Sequence, residues 1–366
     1  MKWKEILEIK SGKNQKDVVD INGRYPIYGS GGIIGYSKEY LCPAGTTIIG
    51  RKGTINSPLY VNEPFWNVDT AFGLIPSQQL VSKYLYYFCC YFNFKALDKS
   101  TTIPSLAKRD LENVEMPVPP LDEQSRIVAH IEELFSEFDK AVDTLKTTKE
   151  QLAVYRQAVL KDAFSCLPET VEMDKIADMI DPQPSHRTPP EYENGIPYIG
   201  IGDIDYQNKN INFEDARKVS PEVLDEHLHR YTIHKGDFVM GKIGTIGKPY
   251  KIPDEQNYAL SANVILIQPN KEKIYPEFLF WQFSSSLVTK QLTLGAKATS
   301  QPAFGIKKAR LLSIKICELE KQFKIIKRLE AEMSCCDNIE KTVDTALAQA
   351  DAMRQSILKQ AFEEKI

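Results

Sequence analysis

Two short glycine-bounded loops carry the residues of this chain that are best suited to bind an anion. The first is Gly50–Thr54, which reads Gly-Arg-Lys-Gly-Thr, and the second is Gly241–Thr245, which reads Gly-Lys-Ile-Gly-Thr and is followed by Lys248. Glycine lets a backbone turn tightly and approach a ligand closely, and Lys or Arg beside it can contact a phosphate group. The pattern suits phosphate binding, although charged loops of this kind are often simply solvated.

Segments that resemble catalytic or nucleotide-binding motifs are all incomplete. Tyr28–Gly35 contains clustered glycines, but Ile34 stands where the GxGxxG motif requires its third glycine, so a strand–turn–strand is predicted there. Gly50–Thr54 lacks the four-residue gap and the GK[ST] ending of a P-loop. Asp181–Pro184 reads Asp-Pro-Gln-Pro and lacks the aromatic residue of an amino-methyltransferase loop. We therefore expect no catalytic residue in this chain.

Histidines and aromatic residues offer a second set of candidates. His227, His229 and His234 lie close together, but no Cys or acidic residue accompanies them at the spacing of a metal site. We interpret them as surface or packing residues and expect no metal site. The aromatic run Tyr84–Phe92 could stack on bases, but its helical spacing favours a place in a hydrophobic core.

Two long segments are predicted to be helices that position the loops. Leu121–Phe164 contains no Gly or Pro and repeats apolar residues with alternating spacings of four and three, as in helices that pair. A shift of 198 positions superimposes it on Leu319–Phe362, for example Gln124 on Gln322. We expect the two helices to pack on each other through Ile127, Ile131, Leu134, Phe138, Leu145, Leu152 and Val159 of the first, and Ile325, Leu329, Ile339, Val343 and Ile357 of the second.

The repeat extends upstream of both helices, so one unit is written twice. In each copy a strand enters a glycine turn, a β-rich run meets the glycine-bounded loop, and an aromatic helix and a Thr/Ser-rich loop follow. We predict globular domains over residues 1–120 and 166–318, and long helices over 121–165 and 319–366. The second copy carries a polar insertion between Tyr206 and Gly236, which a loop of a preserved core can accommodate.

Composition excludes several broad classes. The chain has 366 residues, 42% apolar content and a net charge of −3, which is typical of a globular protein of about two domains. No apolar run approaches the ~20 residues that span a bilayer, and we expect no membrane partner. The seven cysteines are an odd number without a CxxC or disulfide pattern, so a reducing cytoplasm is predicted.

These features together resemble the specificity subunit of Type I restriction–modification enzymes. The segment Met116–Ile127, which reads MPVPPLDEQSRI, resembles that family's entry into its long helix. The loops Gly50–Thr54 and Gly241–Thr245, together with Ile199–Ile204, resemble its target-recognition domains. The resemblance covers essentially the whole chain, although the second helix entry, Lys315–Gln322, lacks the prolines.

The resemblance implies that each globule reads one half of a split sequence in double-stranded DNA while the helices act as a spacer. It implies two methyltransferase subunits docked on the helices, and a motor–nuclease subunit as a further candidate partner. Catalysis, S-adenosylmethionine, ATP and Mg would belong to those partners, and this subunit would need no cofactor. The expected DNA contacts are Ser30, Arg51, Lys52, Thr54, Asn56, Thr102, Lys242, Thr245, Lys248, Asn263, Lys297 and Gln301.

The predicted fold class is α+β, with two tandem pseudo-repeated target-recognition domains separated by two long antiparallel, coiled-coil helices. An alternative function is a coiled-coil adaptor that scaffolds proteins and does not bind DNA. The salt dependence of binding separates the two, because DNA binding releases counterions and weakens steeply as salt rises.

Overall fold

The chain divides into two compact units. In a computed structural model that describes residues 1–206, 208–296 and 303–363, unit 1 comprises Met1–Thr147 with Val343–Ile366, and unit 2 comprises Thr148–Thr342. Each unit contains a β-rich globule and parts of two 45-residue helices, α4 and α9, which span Leu121–Ser165 and Leu319–Glu363. No helix in the described part of the chain has both the length and the apolar character needed to cross a bilayer.

Unit 1 is built on two small sheets. Its remaining elements are α1 (Trp3–Ile6), β1 (Leu7–Ser11), β2 (Tyr25–Gly29), β3 (Gly32–Ser37), β4 (Thr46–Gly50), β5 (Leu59–Val61), β6 (Trp66–Asn67), β7 (Ala71–Pro76), α2 (Ser82–Tyr91) and α3 (Lys108–Leu111). The strands form a four-stranded antiparallel sheet in the order β1-β7-β4-β5 and a three-stranded sheet in the order β3-β2-β6. The strand–turn–strand predicted over Tyr28–Gly35 is confirmed as the hairpin of β2 and β3.

Unit 2 repeats this plan with additions. Its elements are β8 (Glu169–Glu172), β9 (Ala177–Ile180), β10 (Ile196–Ile199), β11 (Ile204–Asp205), β12 (Asn210–Ile211), β13 (Lys218–Val219), α5 (Pro221–Leu228), β14 (Phe238–Gly241), β15 (Pro249–Lys251), β16 (Ala259–Leu260), β17 (Val264–Pro269), α6 (Pro276–Phe283), α7 (Ser286–Gly295), α8 (Ile306–Arg310) and β18 (Ser313–Ile316). The sheet β9-β17-β14-β15 has the same order as β1-β7-β4-β5, and β13-β10-β16 has that of β3-β2-β6. The parallel pairing of β2 with β6 recurs between β10 and β16. The polar insertion predicted between Tyr206 and Gly236 contributes β12, β13 and α5.

The long helices pack antiparallel within each unit. In unit 1 the beginning of α4 and the end of α9 join the core that contains α2, and in unit 2 the end of α4 and the beginning of α9 join the core that contains α6. The predicted α+β class, with two β-rich repeats and two long helices packed together, is confirmed.

A buried glutamine ties each long helix to the globule that precedes it. Gln124 is fully buried; its Oε1 accepts from the Val81 backbone N–H at 2.8 Å, and its Nε2 donates to the carbonyls of Gln79 at 2.9 Å and Pro119 at 2.8 Å. Val81 is the residue before α2, where backbone N–H groups have no partner inside the helix. One side chain therefore accepts a hydrogen bond from a backbone N–H at the start of α2 and fixes the start of α4.

The same arrangement recurs in unit 2 with different neighbours. Gln322 is fully buried; its Oε1 accepts from the backbone N–H of Tyr275, the residue before α6, at 3.0 Å. Its Nε2 donates to the carbonyls of Lys273 at 3.2 Å and Cys317 at 2.7 Å. The entry geometry of the second helix is therefore equivalent to that of the first, although the prolines are missing.

The last turns of each long helix pack against the aromatic helix of the other repeat. Phe362 of α9 packs against Tyr84 of α2 at 5.2 Å between ring centroids, and Phe164 of α4 packs against Phe278 of α6 at 5.3 Å. Because Phe164 and Phe362 are equivalent under the repeat, each unit receives one helix beginning and one helix end. Each helix-pair contact therefore combines the beginning of one long helix with the end of the other.

Ion pairs between α4 and α9 also involve equivalent residues of the two repeats. In unit 1, Arg354 of α9 pairs with Asp139 of α4. In unit 2, Arg156 of α4 pairs with Asp337 of α9 at 2.7 Å and with Glu340 at 2.8 Å. Arg156 and Arg354, like Asp139 and Asp337, are 198 positions apart. Both units therefore use the same pair with the two helices exchanged.

The residues predicted to join the helices differ in burial. Ile127, Ile131, Val159, Leu329 and Val343 are buried, whereas Leu134, Phe138, Leu145, Leu152, Ile325 and Ile357 are half-buried. Ile339 is 40% exposed. Beside it, Cys336 is buried, and the half-buried Glu340 forms the ion pair with Arg156.

Replacing either buried glutamine should destabilise its own unit. Gln124→Ala leaves the Val81 N–H and two carbonyls without a partner, and we expect a loss of about 3 kcal/mol in the unfolding free energy. Hydrogen exchange should accelerate in α2 for Gln124→Ala and in α6 for Gln322→Ala. The control is Gln151→Ala, at an exposed position of α4, which should change stability by less than about 0.5 kcal/mol. Equal behaviour of Gln124→Ala and the control would contradict the structural role.

Candidate functional site

The glycine-bounded loop of unit 1 is pinned on both sides by backbone hydrogen bonds. It follows β4, and the Arg51 N–H donates to the carbonyl of Thr70 at 2.8 Å, just before β7. On its other side, the Gly53 N–H donates to the Pro104 carbonyl at 2.8 Å, and the Leu106 N–H donates to the Arg51 carbonyl at 2.9 Å. The fold thus joins this loop to the Thr/Ser-rich segment that leads into α3.

The loop of unit 2 is held in the same way. It follows β14, and the Lys242 N–H donates to the Asn263 carbonyl at 2.7 Å, just before β17. The Phe304 N–H donates to the Lys242 carbonyl at 2.9 Å. Lys242 is therefore the structural equivalent of Arg51.

Glycine is required at two positions of each loop. A Cβ on Gly50 would lie 2.0 Å from the carbonyl oxygen of Thr54, and one on Gly241 would lie 1.7 Å from that of Thr245. Gly53 and Gly244 adopt positive φ angles of 79° and 77°, a conformation that residues with a Cβ rarely adopt. The shared glycine spacing therefore encodes one tight loop shape, used twice.

The predicted DNA contacts of unit 1 have different surroundings. Lys52, Thr54 and Thr102 are exposed. Arg51 is half-buried, with its guanidinium 5.7 Å from the ring centroid of Phe72. The Asn56 side chain accepts from the Phe94 backbone N–H at 2.8 Å. Ser30 lies in the β2–β3 turn, which belongs to the other sheet.

In unit 2 the equivalent cation is enclosed. Lys242 is only 7% exposed, and its Nζ lies 2.6 Å from Oδ2 of Asp181 and 3.5 Å from Nδ1 of His186. These three side chains line a cavity of about 290 Å³ together with Ala303, Gly305, Ile306, Lys307 and Lys308. The loops therefore have the same backbone but present their cations differently.

The other predicted contacts of unit 2 are placed as follows. Thr245 and Lys248 are exposed, and the Lys248 ammonium lies 4.0 Å from the ring centroid of Tyr206. The Asn263 side-chain oxygen accepts from the Ile201 backbone N–H at 3.1 Å and from the Ser261 hydroxyl. Lys297 and Gln301 lie outside the described residues.

Sequence reasoning missed the cations of the two short helices after the loops. Arg109 and Lys307 are the second residues of α3 and α8, and both are exposed. Lys308 follows Lys307 and lines the unit 2 cavity. The repeat itself carries the signal, because Arg109 and Lys307 are 198 positions apart, the same shift that superimposes the two long helices.

Burial favours the neutral forms of two groups that could otherwise act chemically, His227 and Cys90. Burial lowers the pKa of His227 to about 4, and its ring nitrogens lie 2.8 Å from the Tyr231 hydroxyl and 3.0 Å from Oε1 of Gln183. Burial raises the pKa of the Cys90 thiol to about 11. Within residues 1–206, 208–296 and 303–363, no group of three or more His, Cys, Asp and Glu is placed to hold a metal ion. The aromatic run of α2 contributes Tyr84 and Phe88 to the core, as predicted.

A larger cavity, of about 730 Å³, lies in unit 1 between α2, α4 and α9. Its lining combines aromatic, acidic and basic side chains: Tyr86, Tyr87, Phe135, Glu132, Asp139, Asp143, Asp351, Lys140 and Arg354. Asp139 is paired with Arg354, whereas Asp143 and Asp351 are exposed. The four carboxylates outnumber the two cations of this lining, and such a balance suits a cationic side chain.

Comparison with known proteins agrees with these features. The family model described as the Type I restriction modification DNA specificity domain matches residues 1–153 and 168–349. The chain is 24% identical over 345 residues to the Type I restriction enzyme EcoBI specificity subunit of Escherichia coli, covering 86% of this chain and 72% of that protein. It is 26% identical over 319 residues to the MjaVIII specificity subunit of Methanocaldococcus jannaschii, covering 79% and 69%.

One solved structure shares the fold along the whole chain. It comes from a study of complex assembly and conformational transition of the type I R-M system, and it is similar to this chain with a TM-score of 0.73 at 15% identity, covering 100% of this chain and 97% of that one. At this identity the likeness shows the fold alone. The family match covers most of the sequence, so the chain belongs to the DNA specificity subunits of Type I restriction–modification systems, the non-catalytic components of those enzymes.

Proposed function

We propose that the two globules are two target-recognition domains, over residues 1–120 and 166–318, each reading one half of a bipartite DNA site. The observation that carries this proposal is the loop that recurs in both units with the same backbone and different side chains. A shared backbone supports the same task, which is to approach the DNA phosphates. Different side chains at equivalent positions, such as Lys52 and Ile243, support the choice of different half-sites.

The long helices, over residues 121–165 and 319–366, serve in this proposal as the spacer between the readers and as the dock for two methyltransferase subunits. The unit 1 cavity supports a docking role, because its aromatic rings and the exposed carboxylates of Asp143 and Asp351 suit a Lys or Arg side chain. The helix-pair residues, among them Phe138 and Leu145, would hold α4 and α9 together and so maintain this docking surface.

Chemistry is assigned in this proposal to the partner subunits. S-adenosylmethionine would be used by the methyltransferase subunits, and ATP and Mg by a motor–nuclease subunit where one joins the complex. Burial favours the neutral forms of His227 and of the half-buried Cys90, which agrees with a recognition role for this subunit. The complex would act in the cytoplasm, where the unpaired cysteines would remain reduced.

The first test separates the two readers. Arg51→Ala/Lys52→Ala removes two cations from the unit 1 loop, and should relax or weaken recognition of one half-site while the other is still read. Sequencing the methylated sites made by the complex with its methyltransferase subunits measures this. Lys13→Ala/Lys16→Ala removes two exposed lysines of unit 1 outside the loop and should leave recognition unchanged. Equal degradation of both half-sites would show that one globule does not read one half.

The second test concerns the dock. Phe138→Asp/Leu145→Asp places two charges on half-buried positions of α4, where an unpaired charge is strongly unfavourable. We expect the helix pair to loosen and co-purification of the methyltransferase subunits to fall at least about tenfold, equivalent to ~1.4 kcal/mol. Ala141→Asp, at an exposed position between them, is the matched control. Full co-purification with the double variant would argue against the helices as the dock.

A further inference from the structure

We propose that the unit 2 cavity around Lys242 is a seat for one phosphate group of the DNA backbone, formed by Lys242, Lys307 and Lys308. This inference rests on the proposed DNA-reading function and extends it. It assigns Lys242 to phosphate positioning rather than to the reading of a base edge. It also assigns a phosphate contact to two lysines of α8, Lys307 and Lys308.

The side chains that line the cavity carry a net positive charge. Three lysines and one carboxylate, Asp181, line the cavity, so it keeps two positive charges after Asp181 neutralises Lys242. Lys308 Nζ donates to the Gly295 carbonyl at 2.7 Å, which orients it without cancelling its charge. Among the described residues neither Lys307 nor Lys308 forms an ion pair.

The Lys242 ammonium is held in place before any ligand binds. The Lys242 ammonium has three donors; one is directed to Asp181 at 2.6 Å and a second lies 3.5 Å from Nδ1 of His186. Among residues 1–206, 208–296 and 303–363 no further side chain accepts from this ammonium, so its third donor can serve a ligand, and the buried side chain is already fixed in place. Ala303 and Ile306 supply apolar walls, and the low dielectric of such walls strengthens the attraction between an ammonium and an oxyanion.

Comparison of the two repeats supports the same assignment. Asp181 follows β9, and the sheet register places Ser11, at the end of β1, at the equivalent position of unit 1. Unit 1 therefore has no carboxylate there to enclose Arg51. Its loop leaves Lys52 exposed, so the two units hold their phosphate contacts in different ways on one shared backbone.

The experiment measures salt dependence in the complex with the methyltransferase subunits. Each phosphate contact contributes about 0.9 to the slope of log K against log salt. Lys307→Ala/Lys308→Ala should lower the slope for target duplex, between about 50 and 200 mM salt, by about 0.9. The control Lys235→Ala/Lys271→Ala removes two exposed lysines of unit 2 outside the cavity and should leave the slope unchanged.

A second variant tests the buried lysine. Asp181→Asn/Lys242→Met removes the buried ammonium together with the carboxylate that neutralises it, so the net charge of the cavity and the salt slope should stay as in wild type. Binding of target duplex should weaken at least about fivefold, because the ammonium donor is lost. A wild-type slope in Lys307→Ala/Lys308→Ala, an equal fall in the control, or wild-type affinity in Asp181→Asn/Lys242→Met would overturn the phosphate seat. If wild-type complex bound DNA without salt dependence or sequence choice, the proposed function itself would fail, so the two failures are distinguishable.

Discussion

The buried glutamine at the start of each long helix is the constraint on which the rest of this fold depends. A buried amide must satisfy its donors and acceptor, and Gln124 does so by joining the loop before α2 to the last residues before α4. Gln322 makes equivalent bonds in unit 2. Since these bonds fix where each long helix leaves its globule, they also fix which helix face meets the aromatic helix of that unit.

Each helix-pair contact then follows from the repeat. The beginning of one helix meets the end of the other in each unit, so Phe362 closes on Tyr84 and Phe164 closes on Phe278. The Arg354–Asp139 and Arg156–Asp337 pairs have the same exchanged relationship. The two units therefore use the same packing arrangement, with the roles of the two helices exchanged.

The recognition loops show how such a repeat can diverge in function. Gly50 and Gly241 each leave no room for a Cβ beside a carbonyl oxygen, so the loop shape is fixed by the backbone. The side chains on that shape are free to vary, because they do not maintain it. Lys242 is enclosed with Asp181, whereas Arg51 lies against Phe72 and Lys52 is exposed.

The sequence by itself determined the repeat, the two long helices, the hairpin over Tyr28–Gly35 and the position of the glycine loops, because these depend on local spacing and on glycine chemistry. Helical periodicity did not determine which side of α9 faces inward near Ile339, because an ion pair between Glu340 and Arg156 occupies that place. Nor could it show that Lys242 is enclosed or that Asn263 holds Ile201, since both depend on residues distant in sequence. Only the tertiary structure decided which polar side chains support the fold and which are left to contact a ligand, because hydrogen-bond partners are set by packing.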